Sequence, residues 1–192
     1  MTSKIQGPIL EIAIELFANY GYAGVGIRDI AAAANVTPGS IFRLFESKDS
    51  LFQEALKTVA YRSLAPDEFQ TLLQENEQAF SLIVQRAVRR WYSSLSPQSA
   101  RLLMYAALSD NHQWREMAST RTGEIAEILA QSIRKEARKS KVRNVDALAA
   151  SRTLILALFN LRTTHSLLTT GEKEREAVSK MIHQWIHGLA LA

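Results

Sequence analysis

Apolar residues at Ile5, Ile9, Ile12, Leu16 and Tyr20 recur at spacings of 4, 3, 4 and 4, and Ala13 and Phe17 widen the stripe. That period predicts an amphipathic helix ending near Gly21. Positions 27–34 read as a second, short helix, after which Asn35 stands where a left-handed residue turns the chain. Thr37-Pro38 supplies an N-cap and the residue best tolerated at the first helical position, so a third short helix is expected up to about Phe45. Ser47 caps a fourth, with Asp49 in its first turn and Leu51, Phe52, Ala55 and Leu56 along its apolar side. Beyond Pro66 the pattern lengthens. Helices are predicted near 67–95, continuous or broken near Gln74, and over 98–109, 113–140, 146–168 and 173–189.

The last two of these helices are apolar on more than one side. Leu154, Leu158, Leu161, His165 and Leu168 step by 4, 3, 4 and 3, with Leu148, Ile155 and Phe159 on an adjoining stripe. Val178, Ile182, Trp185 and Leu189 repeat the pattern in the final helix. A helix apolar on two faces needs two partners. One is the core of its own chain, and the other is either more of that core or the same helices of a second copy in a two-fold bundle.

Near the N-terminus, two short helices joined by a tight turn, with the small Ala31 where the second crosses the first, describe a helix-turn-helix. Ile27, Ile30, Val36 and Ile41 are spaced to fill the wedge between them. In that motif the second helix projects its first residues into a major groove, so Thr37, Pro38, Gly39, Ser40 and Arg43 would face DNA. Each residue also has a plainer reading. Thr37 and Ser47 are caps, Phe42 is core, and Arg43 lies on a solvated face.

Taken together, Ile9-Leu10 through Leu16-Phe17, Gly21, Asp29-Ile30-Ala31, Val36-Thr37-Pro38-Gly39-Ser40-Ile41-Phe42, Phe45 and Ser47-Lys48-Asp49-Ser50-Leu51 resemble the N-terminal domain of TetR-type transcriptional regulators, over roughly residues 4–56. The resemblance implies an all-α protein. Residues 1–60 would be a three-helix DNA-binding domain with a helix-turn-helix, and residues 61–192 a helical ligand-binding and dimerisation domain.

It implies a DNA-facing set of Arg28, Thr37, Gly39, Ser40, Phe42, Arg43 and Lys48, to which the motif itself adds Pro38. Arg43 suits guanine O6 and N7, while Lys48 and the helix N-termini suit phosphates. Three positions depart from the family pattern. Val25-Gly26 replaces a pair of hydroxyl residues, Phe42 replaces a tyrosine, and Leu44 stands where histidine is frequent. The partners implied are a palindromic double-stranded operator, a second copy of the chain and a small-molecule effector. The function implied is a repressor released by that effector. The alternative is a helical small-molecule-binding protein or enzyme whose DNA-reading domain no longer works.

Dimerisation is expected through Leu154, Leu158, Leu161, His165, Val178, Ile182, Trp185 and Leu189. For the effector pocket no motif exists. Trp91, Tyr105, Phe159 and Asn160 are offered as lining residues for an apolar or aromatic compound, with Asn160 singled out because a buried amide must find a partner.

Composition narrows the classes further. The chain has 192 residues, 47% apolar and 22% charged, and no cysteine, which excludes a disulfide framework, a thiolate nucleophile and a cysteine-zinc site. No apolar run reaches the ~18 residues of a membrane span, and Met1 to Pro8 lacks the apolar stretch of a secretory signal, so no membrane partner and a cytoplasmic location are expected. The net charge of +4 is unevenly distributed. Residues 1–56 hold four basic and six acidic side chains, so a DNA-binding face requires its cations on one surface and Glu11, Glu15 and Glu54 elsewhere.

The basic run Arg134, Lys135, Arg138, Lys139, Lys141 and Arg143 reads as the solvated end of a long helix, and Arg86, Arg89 and Arg90 get the same reading. His183 and His187 have i, i+4 spacing but no third ligand. No cofactor, metal or catalytic set is expected, because Gly24-Val25-Gly26 lacks the third glycine of a dinucleotide loop and no nucleophile-elbow or phosphate-loop motif occurs.

Overall fold

Every regular element among the described residues is a helix. The computed structural model describes residues 3–62, 65–74, 79–139, 143, 145–164 and 171–189. The helices are α1 Ser3–Tyr20, α2 Ile27–Ala33, α3 Pro38–Phe42, α4 Lys48–Arg62, α5 Pro66–Leu73, α6 Phe80–Ser94, α7 Pro97–Ala107, α8 His112–Ala137, α9 Ala147–Thr163 and α10 Glu172–Leu189. None of them is long and apolar enough to cross a membrane.

The helix boundaries follow local chemistry. Gly21 ends α1 with φ +72°, and Asn35 turns the chain after α2 with φ +52°, the left-handed conformation expected of it. Of the two alternatives near Gln74 the broken one is found, with Gln74 as the C-cap of α5. Asp146 caps α9 by accepting from the N–H groups of Leu148 and Ala149 at 3.1 and 3.0 Å. Some extents differ from expectation, and α8 ends at Ala137 rather than near 140. α3 stops at Phe42, because Arg43 and Leu44 close the helix with turn bonds back to Gly39 and Ile41. α9 is described to Thr163, and His165 and Leu168 lie outside the described residues.

One compact unit gathers Met1–Arg62 with Gln98–Ser119, and the other Ser63–Pro97 with Thr120–Ala192. In the first, Ile9, Ala13, Phe17, Ile30, Ile41, Leu51, Phe52, Ala55, Leu56 and Val59 are buried between α1, α2, α3 and α4. Phe52 is the hub of an aromatic cluster. Its ring lies 5.0 Å from Phe17, 5.2 Å from Tyr22, 4.4 Å from Trp114 and 6.1 Å from Tyr105. Gly21 also sits in this cluster, where a Cβ would approach the Tyr105 ring to 2.9 Å. The Tyr105 and Trp114 contributions bring α7 and the start of α8 into the first unit.

In the second unit, α6 packs on α5, α9 and α10 over Phe69, Val84, Ala87, Val88, Trp91, Leu154, Ile155, Leu158, Val178 and Ile182. The Trp185 indole N–H donates to the Ala150 carbonyl at 2.9 Å, which pins α10 to α9. Apolar stripes at the helical period thus close into two separate cores.

Candidate nucleic-acid interface

The residues proposed to face DNA lie on α2, α3 and the start of α4, and each is placed by a local device. Thr37 caps α3. Its Oγ1 accepts from the Ser40 N–H at 3.2 Å and lies 2.9 Å from the Ser40 hydroxyl, and Pro38 follows at the first helical position. Ser47 and Ser50 cap α4 reciprocally, each side chain bonding the other's N–H at 3.1 Å, so a serine takes the part that glutamate plays in a capping box. The missing hydroxyl at Gly26 is half compensated. Gly26 offers no side-chain cap, but its own N–H donates to Asp29 Oδ2 at 2.7 Å.

These devices leave Arg28, Thr37, Pro38, Gly39, Phe42 and Arg43 exposed, with Ser40 and Lys48 half-buried. Phe42 is 52% exposed, which answers the plainer reading of it as core. Ile41, one residue before it, fills the wedge instead. A Cβ on Gly39 would meet nothing nearer than the Thr37 hydroxyl at 3.8 Å, so its small size is not required by packing.

Lys48 is held by a contact that sequence reasoning missed. Its Nζ lies 4.1 Å from the centroid of the Tyr22 ring, and the Tyr22 hydroxyl donates to Asp49. Burial together with that hydrogen bond to Asp49 pushes the Tyr22 phenol up to about 12. Tyr22 is the residue that the sequence pattern could not reveal, because it lies in a loop with no periodicity of its own.

The acidic surplus of residues 1–56 is largely neutralised by neighbours just outside that range. Arg62 forms a two-pronged ion pair with Glu11, and Lys57 lies 3.7 Å from Glu54.

The other expected site residues are not brought together. Trp91 and Phe159 are buried in the core of the second unit, at 2% and 6% exposure. Tyr105 belongs to the aromatic cluster of the first. Asn160, expected to be a buried amide, is exposed, because it falls on the open side of α9.

Of the expected dimerisation residues, Leu154, Leu158, Val178, Ile182 and Leu189 are covered by their own chain. Leu161 and Trp185 are half-buried, and His165 lies outside the described residues. What α9 leaves open is Leu156, 57% exposed, beside Arg152, Thr153 and Asn160. α10 leaves open His183 and His187, whose Nε2 atoms are 3.0 Å apart. Among the described residues no cluster of three or more His, Cys, Asp or Glu is arranged to hold a metal.

Residues 9–55 match the family model described as bacterial regulatory proteins, tetR family. Over 51 residues the chain is 45% identical to the probable acrEF/envCD operon repressor of Escherichia coli K12, covering 27% of this chain and 23% of that protein. Over 49 residues it is 43% identical to the HTH-type transcriptional repressor KstR2 of Rhodococcus jostii RHA1, covering 26% and 24%. The matched segment therefore spans about a quarter of the length of these curated relatives. Along the whole fold, the chain superposes on a TetR transcriptional regulator from Chloroflexus aurantiacus with a TM-score of 0.77 at 21% identity, covering 100% and 98% of the two chains.

Proposed function

We propose that the chain, whose residues 9–55 match the family model of tetR bacterial regulatory proteins, is a sequence-specific DNA-binding transcriptional regulator of that family and not an enzyme. It represses by binding a palindromic operator as a dimer and releases it when a small molecule binds. The observation that carries this reading is the capped α3, with Thr37, Gly39, Phe42 and Arg43 solvent-facing and Arg28 exposed on α2.

Chemistry gives each residue its part. At the N-terminus of α3 the Thr37 hydroxyl and the Gly39 N–H face a phosphate, and Lys48 with the start of α4 holds another. Gly39 and Ser40 allow close approach of the duplex. Arg43 donates two hydrogen bonds to a guanine edge, Phe42 lies against the sugar or a thymine methyl, and Arg28 takes the adjoining backbone. Residues 1–60 act as the reading domain and residues 61–192 as the domain for ligand and dimer, with α9 and α10 supplying the contact between copies. Two reading helices about one DNA turn or a multiple of it apart would match a palindrome. The working compartment is the cytoplasm.

A second reading, a small-molecule-binding helical protein with a silent DNA domain, is favoured by one observation. The exposed ring of Phe42 carries no hydroxyl for a phosphate. Selection of duplexes from a random pool by the purified protein at near-physiological salt separates the two. The regulator reading expects one palindrome bound at nanomolar affinity, salt-sensitively, and about a thousandfold over random duplex. Folded protein that enriches no sequence would overturn it in favour of the second reading.

A further inference from the structure

Between α6, the end of α9 and the start of α10, the second unit holds a cleft of about 560 Å³, within the ~300–1,000 Å³ usual for small-molecule sites. Its wall carries Arg89, Arg162, Arg175, Glu174, Tyr92 and Val178. Three guanidinium groups and one carboxylate therefore share a single concavity.

The carboxylate is already engaged. Glu174, only 5% exposed, accepts from the Tyr92 hydroxyl and from Arg162 Nη1, the latter at 2.7 Å. Arg162 is fixed on two further sides. Its Nε donates to the Leu95 carbonyl at 2.5 Å, and its guanidinium lies 4.8 Å from the centroid of the Tyr92 ring. That framework neutralises one arginine with one glutamate.

Arg89 and Arg175 are exposed, and among the described residues no carboxylate pairs with either. They come from different helices, α6 and α10, and reach the same cleft. Two uncompensated positive charges converging on one concave surface favour a ligand that carries two negative charges.

We propose that this cleft binds a small organic dianion, a dicarboxylate or a phosphate monoester, held by Arg89 and Arg175 beside the fixed Arg162. As the effector site of the regulator it rests on the reading above, and as a binding site it stands by itself. The ligand class differs from the apolar or aromatic compound that the residue types alone suggested. The reason is that Trp91 and Phe159 are spent in the core while the arginines line the space.

The test uses the full chain at constant ionic strength, with succinate, phenyl phosphate and uncharged succinamide as probes in calorimetric titrations. At least one dianion is expected to bind and succinamide is not, and the arm that binds tells carboxylate from phosphate. The double variant Arg89→Gln, Arg175→Gln, altered only at exposed positions, is expected to bind that dianion about tenfold more weakly or worse. The variant Arg138→Gln, outside the cleft, keeps wild-type affinity.

Binding of neither dianion, equal binding of succinamide, undiminished binding by the double variant, or an equal loss in Arg138→Gln each overturns the site. Affinity for the selected duplex without any probe is read separately. Duplex binding with no dianion binding removes this site and leaves the regulator standing. Dianion binding with no duplex binding does the reverse.

Discussion

Replacing Arg43 with alanine isolates the proposed base contact, because the side chain does nothing else among the described residues. It is exposed, and only its backbone N–H is engaged, at 3.1 Å from the Gly39 carbonyl as α3 closes. Arg43→Ala should therefore change folding stability by no more than about 0.5 kcal/mol, as for other exposed positions. A bidentate arginine–guanine contact is worth about 1–3 kcal/mol of discrimination. At 1.4 kcal/mol per tenfold, that becomes a loss of roughly fivefold to 150-fold in operator affinity.

The assay is fluorescence anisotropy with the selected duplex and a set of single base-pair variants at fixed salt, alongside urea denaturation of both proteins. The expected result is a loss concentrated at one base pair per half-site, where Arg43→Ala no longer distinguishes guanine. A variant with wild-type affinity and an unchanged preference at every position would refute the assignment. A loss spread evenly over all duplexes would move Arg43 from base reading to phosphate contact.

Lys48→Met should weaken binding to all duplexes alike and reduce the steepness of the log affinity against log salt plot by about 1; an unchanged slope would take Lys48 off the phosphates. The Tyr22 phenol, pushed up to about 12 in the folded chain against 10 in a free phenol, binds its proton more tightly folded than unfolded. Its contribution to stability is therefore full below pH 10 and lost as pH rises from 10 through 12. Denaturation midpoints measured from pH 9 upward should fall less steeply in Tyr22→Phe than in the wild type, and parallel curves would contradict the linkage. Ser151 is wholly buried, and its hydroxyl has no hydrogen-bond partner among the described residues, a condition costing roughly 1–3 kcal/mol. Ser151→Ala should accordingly raise the unfolding free energy by about 1 kcal/mol, and a clear destabilisation in urea titration would show that the hydroxyl is bonded.

The features that were legible in the sequence are those whose causes are local. Thr37-Pro38, Ser47 and Asn35 each act through a neighbour within a few residues, and each is found where the residue types placed it. The proposed DNA face inherits this legibility, because positions 28–48 are arranged by caps and one tight turn.

Periodicity was less decisive for α9 and α10. It identified Leu154, Leu158, Val178 and Ile182 as a face needing cover, yet it could not say whether the same chain or a second copy supplies that cover. Packing on α6 supplies it for these residues, and Leu156 is left outside. Asn160 misled for the same reason. An amide inside an apolar run suggests burial, and only the helix phase relative to α6 shows that it points to solvent.

Contacts between distant segments left no trace at all. Trp114 and Tyr105 meet Phe52 from helices far along the chain, and Arg89, Arg162 and Arg175 share a cleft although nothing in their spacing connects them. A candidate DNA face built from one short segment can thus be proposed from residues alone. A ligand site assembled from three helices can be proposed only once those helices are packed, which is why the proposal rests on the arginine cleft and not on the aromatic set.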